Sequence, residues 1–186
     1  MSGITRIHID SDNYKKESYL KAERIGPFAD EVYRDVFPRI ELPLIDDRVT
    51  IAHCNFYSKL GRLDWQKGID IIMTCSNYGE VTTQEKLLTY QDKTTLTVET
   101  IKGNGKRGAW YYCEADFYTT MYCRDYDNCD YSLRAGIIVD WKLLKEYDKK
   151  FGLPWHHKKD GPEHDNNNFK YLDFDEIPEE LVIWRF

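Results

Sequence analysis

The first strong pattern along the chain is a helical one, over residues 14–37. Its apolar positions recur at helical spacing among charged residues, and they are Tyr19, Leu20, Ile25, Phe28, Val32 and Phe37. Gly26 and Pro27 lie in the middle, and because proline is favoured in a first helical turn, we expect a break or a new helical start there. Pro38 and Pro43 end the helical region.

Short runs of β-branched and other apolar residues follow this helix and predict strands. The predicted strands cover residues 49–54, 69–75, 81–89 and 95–100. Asn77-Tyr78-Gly79 predicts a turn between the second and third of them, so these two strands form a hairpin. A basic, glycine-rich loop then spans residues 102–108.

The second half of the chain returns to strand and helix patterns. Residues 109–123 are rich in aromatic and β-branched residues and predict a strand, although their first part is also compatible with a helix. Residues 136–140 predict a strand that passes directly into a helix closed by Gly152 and Pro154. A short helix or turn near Ile177–Leu181 precedes an apolar end. This order predicts an α/β (α+β) sandwich on a mixed sheet.

Charge divides the chain unevenly. The 186 residues have the length of one domain and a net charge of −6. The last 27 residues hold eight acidic and two basic residues, so the remainder is electrically neutral. We therefore expect a core domain at residues 1–159 and an acidic C-terminal segment at 160–186 that packs on it. The neutral core leaves a nucleic-acid substrate open.

Membrane and secreted classes are not expected. The chain contains no apolar run of the roughly 20 residues needed to span a bilayer. Its first residues lack the apolar stretch of a secretory signal, which predicts a cytoplasmic protein. The five cysteines include no CxxC pair and favour buried free thiols in a reducing compartment. A zinc site built from Cys113, Cys123 and Cys129 is the alternative.

The candidate chemistry lies in the predicted hairpin. Asp70 is flanked by apolar β residues, where a carboxylate is costly unless it faces water, a partner or a metal. Gln84 and Lys86 are two positions apart on the returning strand, so their side chains share a face. The turn brings Asp70 close to that pair. Oxygen ligands beside an ammonium group are typical of a Mg²⁺ site that acts on a phosphate.

Asp70 followed by Gln84-x-Lys86 resembles the signature of the PD-(D/E)XK nuclease superfamily, in the variant where glutamine replaces the second acid. The resemblance extends over roughly residues 18–150, because an acidic helix precedes the hairpin and a strand–helix element follows it. It implies a restriction-endonuclease-like core, in which helices flank a mixed central β-sheet.

The resemblance also implies roles for single residues. Asp70 is the expected metal-binding acid, and Gln84 holds the metal through its side-chain carbonyl. The backbone carbonyl of Glu85 assists. Simple alternation along the strand puts the Glu85 side chain on the opposite face, and a β-bulge would reverse this. Lys86 is the expected catalytic lysine.

Members of this family often add a glutamate from the first helix, for which Glu31 is preferred here and Glu23 is the alternative. The implied activity is hydrolysis of DNA by an endonuclease that requires Mg²⁺ or Mn²⁺, with RNA left open. One-domain members commonly work as homodimers. The competing hypothesis is a catalytically weak or inactive nuclease-fold protein that binds protein or nucleic acid.

Basic and aromatic residues between positions 102 and 122 offer a further surface for nucleic acid. Lys102, Lys106 and Arg107 would hold phosphates with help from glycine amides, and a solvated hairpin tip explains them equally well. For the aromatic residues, core packing is favoured over base stacking. These residues are Trp110, Tyr111, Tyr112, Phe117, Tyr118 and Tyr122.

Overall fold

The computed structural model describes residues 13–37, 67–75, 79–89, 92–160 and 167–186. The strand predicted at residues 49–54 lies outside the described residues. So do Pro38 and Pro43, and so does most of the predicted turn before Gly79.

Three helices and eight strands make up the described part of the chain. The helices are α1 (Asn13–Val36), α2 (Ala109–Tyr112) and α3 (Trp141–Phe151). The strands are β1 (Ile71–Cys75), β2 (Gly79–Leu88), β3 (Thr95–Ile101), β4 (Phe117–Asp125), β5 (Asp130–Asp140), β6 (His156–Lys159), β7 (Asn168–Asp173) and β8 (Val182–Arg185). Two 3₁₀ turns, Phe174–Glu176 and Glu179–Leu181, lie between β7 and β8.

The strands form two sheets. The central sheet has the order β1-β2-β4-β5-β8, with β2 and β4 parallel and the other neighbours antiparallel. The smaller sheet has the order β3-β7-β6 and is antiparallel throughout. The protein is therefore a mixed α+β structure with a mixed central sheet flanked by helices. The strand predicted at residues 95–100 is present as β3, in the smaller sheet.

The central sheet has an apolar core on each face. On one face, Ala29 and Tyr33 of α1 and Phe37 just after it pack against side chains of β1, β2, β4 and β5. On the other face, residues such as Tyr118 and Val139 pack against the smaller sheet and α3. Each large apolar side chain that is fully buried contributes about 1.5–3 kcal/mol to folding. The two cores hold the smaller sheet and α1 on opposite sides of β2.

Helix α1 continues through Pro27, so the break expected at Gly26-Pro27 is wrong. Proline inside a helix removes one backbone hydrogen bond and crowds the preceding turn. Here Ile25 and Ala29 are fully buried on either side of the exposed Pro27. Burial of these flanking residues keeps the helix continuous despite the local cost.

The strand–helix element near the C-terminus forms as predicted. The side chain of Asp140 caps α3 by accepting a 2.8 Å hydrogen bond from the backbone N–H of Leu143. Gly152 ends the helix with a φ of +77°, a conformation that glycine adopts easily. The short helix or turn predicted before the apolar end is present as two 3₁₀ turns.

Two ambiguous segments have a definite place in the structure. Residues 109–112 form the short helix α2 and the chain becomes extended from Phe117, so the first part of segment 109–123 is helical. The acidic C-terminal segment supplies β7 to the smaller sheet and β8 to the edge of the central sheet. No helix among the described residues has the length and apolar character to cross a membrane.

Candidate active site

Asp70 directly precedes β1 and lies beside β2. The backbone N–H of Asp70 donates to the carbonyl of Thr83 at 3.0 Å, and Thr83 pairs with Ile71, the first residue of β1. One carboxylate oxygen of Asp70 accepts a 2.8 Å hydrogen bond from the backbone N–H of Glu85. The same oxygen accepts a hydrogen bond from the side-chain amide of Gln84. The carboxylate thus accepts the hydrogen bond from Glu85 that a backbone carbonyl would accept at this point if the β1–β2 ladder continued.

The residues of β2 alternate between the two faces of the central sheet, without a bulge in its pairing with β1 or β4. Glu85 faces α1, where the hydroxyl of Tyr33 donates to its carboxylate at 2.9 Å. Gln84 and Lys86 face the opposite way, towards the smaller sheet. The side chain of Glu85 therefore points away from the Gln84 and Lys86 side chains, as simple alternation predicts.

Lys86 is half-buried beneath the smaller sheet. Its Nζ lies 5.6 Å from the centroid of the Phe169 ring on β7. Loss of hydration lowers the pKa of Lys86, and the acids Glu99, Asp70 and Asp160 partly offset that shift. The amine is therefore easier to deprotonate than a solvated lysine, although three carboxylates act on it.

Gly68 makes room for the Gln84 side chain. Its φ is +60°, and a Cβ at this position would lie 2.9 Å from Oε1 of Gln84 and 3.1 Å from Cβ of Cys113. A side chain here would displace both groups. The Cys113 thiol contacts the Gly68 carbonyl at 3.2 Å, and burial raises the pKa of this thiol to about 11. Cys113 is therefore a neutral packing group and not a nucleophile.

The oxygen atoms at this site fit a hard divalent cation. The carboxylate of Asp70 and the amide of Gln84 are in contact, and the Glu85 backbone adjoins them. Because the N–H and C=O of one strand residue point to the same side, the Glu85 carbonyl points to the side on which its N–H meets Asp70. Gln84 presents nitrogen to Asp70, and a half-turn of its amide presents oxygen instead. All three donors are of the type that Mg²⁺ prefers.

The glutamate expected from the first helix does not lie on the buried face. Glu31 is exposed on α1, while Asp30 and Tyr33 are buried beside it. Glu23, the alternative, is half-buried. One position along a helix turns a side chain by about 100°, so the apolar spacing that placed this face within α1 left Glu31 pointing outward. Through Tyr33, α1 instead holds the carboxylate of Glu85.

The basic loop lies against α2. Nζ of Lys102 is 4.9 Å from the centroid of the Tyr112 ring, and the guanidinium of Arg107 is 5.4 Å from that of Tyr111. Lys106 and Arg107 are exposed, and a 2.8 Å hydrogen bond from the Lys102 N–H to the Lys106 carbonyl closes the loop. Lys102 and Arg107 therefore lie beside the tyrosines of α2, while Lys106 is exposed at the turn of the loop.

Most of the aromatic residues in this region pack in the core. Tyr118 and Tyr122 are fully buried, and Trp110 lies edge-on to Trp141. Tyr111 differs, because 55% of its surface is exposed. Core packing thus explains this aromatic run except at Tyr111.

Other candidate metal ligands are separate from Asp70. Cys113 and Cys123 are buried free thiols, as expected, whereas Cys129 is free but exposed. Within the described ranges, one group of three metal-ligating side chains converges, with its ligand atoms within 4.8 Å of one another. It consists of His156, Asp173 and Glu176, and it shares no residue with the Asp70 site.

Several residues that shape this site were not found from the sequence. Glu99 and Asp160 act on Lys86 from the smaller sheet and from the end of β6, and no local pattern relates strands of different sheets. Tyr33 was not among the apolar positions that helical spacing identified in this helix. Gly68 carried a readable signal, since glycine directly before a strand often marks a close approach.

Comparison with known proteins gives no match. No protein-family model, curated protein or solved structure matches the chain.

Proposed function

We propose that the protein is a metal-dependent endonuclease that hydrolyses phosphodiester bonds of DNA, with RNA as an open second substrate. The proposal rests on the contacts of the Asp70 carboxylate. The Asp70 carboxylate contacts both the Gln84 side chain and the Glu85 backbone, and Lys86 lies on the same face of β2 as Gln84. A carboxylate, two carbonyl donors and a cation within a few residues of one strand suit the hydrolysis of a phosphate ester.

The residues divide into metal holders and a charge donor. Asp70, Gln84 and the Glu85 carbonyl would hold Mg²⁺ or Mn²⁺. A bound ion of this kind supplies a Lewis acid and lowers the pKa of a water molecule. Lys86 places its ammonium beside the phosphate, where it neutralises negative charge and orients the attacking water. Burial lowers the pKa of this ammonium, and the carboxylates around it partly offset the shift.

Two supporting contacts position the holders. The Tyr33 hydroxyl ties the Glu85 side chain to α1, which fixes the β2 backbone where its carbonyl is needed. Gly68 leaves the space into which Oε1 of Gln84 points. The hydrogen bond and the free space both favour one orientation of the proposed ligands before any ion binds. This reduces the entropy that is lost when the ligands are ordered.

The first test is cleavage of supercoiled plasmid by the full chain with Mg²⁺ or Mn²⁺. Wild type is compared with Asp70→Asn, Lys86→Met and the control Lys149→Met, which changes an exposed lysine of α3. We expect nicking by wild type and the control, and a loss of about 100-fold or more in the two site variants. Nicking that persists in both site variants would contradict the proposed site.

A second candidate function is binding without catalysis. The observation in its favour is the neutral Gln84, whose amide nitrogen donates to Asp70 in this structure, because a neutral ligand holds a divalent cation less strongly than a carboxylate. This candidate predicts no cleavage by wild type on plasmid, single-stranded DNA or RNA, with either metal, while the folded protein still binds one of them.

A further inference from the structure

A polar cavity of about 510 Å³ lies between α2 and the first turns of α3. We call it the tyrosine–lysine cleft. The residues that matter for its chemistry are Tyr111, Tyr112, Cys113, Glu114, Lys142 and Lys145. The proposed metal holders Asp70, Gln84 and Glu85 do not line it.

The tyrosine–lysine cleft adjoins the Asp70 site through Cys113. Cβ of Cys113 and Oε1 of Gln84 both lie beside Gly68, at 3.1 and 2.9 Å from the position that a Cβ would take there. On its other side, the Cys113 carbonyl accepts a 3.0 Å hydrogen bond from Nζ of Lys145. Cys113 therefore lies both on the wall of the cleft and beside the glycine that the Gln84 side chain approaches.

The surroundings of the cleft are basic although the whole chain carries a charge of −6. Two acids near the cleft are paired, Glu114 with Lys67 at 2.9 Å and Asp116 with Lys142 at 2.6 Å. Lys145 adds a further cation on the cleft wall, and Lys102 and Arg107 of the loop add two more beside the tyrosines. This excess of positive charge suits a polyanion.

Tyr111 supplies an aromatic surface on this basic background. Its ring is 55% exposed, while the neighbouring Trp110 packs against Trp141 and Trp155. Arg107 lies over the Tyr111 ring and Lys102 over the Tyr112 ring, so cations of the loop hold both rings at the edge of the cleft. An exposed ring beside a charged groove is the arrangement on which unpaired bases stack.

The depth of Lys86 favours a flexible substrate over a stiff one. Lys86 is half-buried under β7, with Phe169 at 5.6 Å from its Nζ. A DNA duplex is stiff over about 150 base pairs and presents its bases only at groove edges. A single strand can bend its backbone towards Lys86 while a neighbouring base stacks outside.

From these contacts we propose that the tyrosine–lysine cleft binds single-stranded nucleic acid, with a base stacked on Tyr111 and the adjoining phosphates at Lys142 and Lys145. The proposal rests on the proposed nuclease function for the fate of the strand, since the cleft directs the backbone to Asp70 and Lys86. Binding itself needs no catalysis and is measured separately.

The test uses fluorescence anisotropy with the cleavage-deficient Asp70→Asn chain, so that the probe stays intact. The probes are a fluorescein-labelled single-stranded DNA of mixed sequence and the same strand annealed to its complement. Tyr111→Ala is compared with Phe151→Ala, which removes an exposed aromatic ring at the far end of α3. We expect tighter binding of the single strand than of the duplex. Tyr111→Ala should weaken single-strand binding at least about fivefold, whereas Phe151→Ala should leave it unchanged.

Equal or tighter binding of the duplex would overturn the proposal, and so would a Tyr111→Ala variant with unchanged single-strand affinity. Far-ultraviolet circular dichroism checks that each variant is folded. Single-strand binding of this kind with no cleavage by wild type would support the cleft and contradict the nuclease. Cleavage without single-strand preference would do the reverse.

Discussion

The absence of a side chain at Gly68 leaves the space that the Gln84 side chain of the Asp70 site occupies. Gly68 and Gly105 both have positive φ, at +60° and +78°, but they differ in their surroundings. A Cβ at Gly68 would meet Gln84 and Cys113, whereas a Cβ at Gly105 has nothing within 4 Å. The pair therefore separates backbone strain from crowding of the site.

We predict that Gly68→Ala and Gly105→Ala each lower the free energy of unfolding by about 1 kcal/mol from backbone strain. Gly68→Ala should lose more than this, because its methyl group displaces Gln84, and it should also lose phosphodiester cleavage. Urea unfolding and the plasmid assay measure the two effects. Equal stability and full activity in Gly68→Ala would show that Gln84 needs no such space.

Lys170 is a second residue whose surroundings set its chemistry. Its Nζ lies 2.9 Å from the ring centroid of Trp110, 3.9 Å from that of Trp155 and 3.3 Å from a carboxylate oxygen of Asp148. Burial lowers the pKa of Lys170 from 10.5 to about 8, and Asp148 partly offsets the shift. Lys170 on β7 therefore contacts Asp148 of α3 and the rings of Trp110 and Trp155.

Because the folded pKa of Lys170 is depressed, the unfolded chain binds more protons between about pH 8 and pH 10.5. Stability from this residue therefore rises with pH across that range, by up to about 3 kcal/mol. We predict this rise in the difference between wild type and Lys170→Met, measured by urea unfolding at several pH values. A difference that stays constant with pH would contradict the depressed pKa.

At the scale of elements, α1 shows tertiary burial overriding a local signal. Apolar spacing located the helix over residues 14–37, and the structure has it at Asn13–Val36. The break expected at Pro27 is absent because Ile25, Ala29 and Tyr33 are buried along one continuous face. The same helix fixes Glu85 through Tyr33, so its continuity affects the β2 strand that carries the site.

Replacing the exposed Pro27 by alanine should therefore stabilise the protein, by about 1–3 kcal/mol, since it restores a helical hydrogen bond without disturbing packing. The midpoint of thermal unfolding, followed at the helix band of circular dichroism, measures the change. Ala29→Pro, on the buried face of the same helix, is the opposite control and should be strongly destabilising. A loss of stability in Pro27→Ala would contradict the continuous helix.

At the scale of the whole molecule, the acidic C-terminal segment belongs to the sheets. Strand β8 pairs with β5 at the edge of the central sheet, and β7 is the middle strand of the smaller sheet. Removing residues 160–186 would also remove Asp160 and Phe169 from the surroundings of Lys86. The segment that carries the charge deficit is thus part of the scaffold.

We predict that a chain ending at residue 181, which lacks only β8, loses cooperative unfolding. Ile138 and Gly136 lose the backbone partners that the last residues provide, and the apolar edge of β5 is exposed. Differential scanning calorimetry of the shortened chain measures this. A cooperative transition near the wild-type temperature would show that β8 is dispensable.

Much of the fold followed from local patterns, whereas its long-range relations did not. The hairpin of β1 and β2, the β5–α3 element and the alternation that separates Glu85 from Gln84 and Lys86 all depend on spacing within one segment. The placing of β3 in a separate sheet and the action of Glu99 and Asp160 on Lys86 depend on pairings between distant segments. Glu31, the glutamate preferred from the first helix, is exposed on α1, because helical spacing locates a face less closely than one residue.

The central claim is that Asp70, Gln84 and the Glu85 carbonyl hold a divalent cation. Anomalous diffraction from crystals of the full chain grown with Mn²⁺ tests it most directly. We predict an anomalous difference peak about 2.1–2.2 Å from these three oxygen atoms, with the Gln84 amide turned so that its oxygen faces the ion. No peak at Asp70, or a peak confined to His156, Asp173 and Glu176, would contradict it.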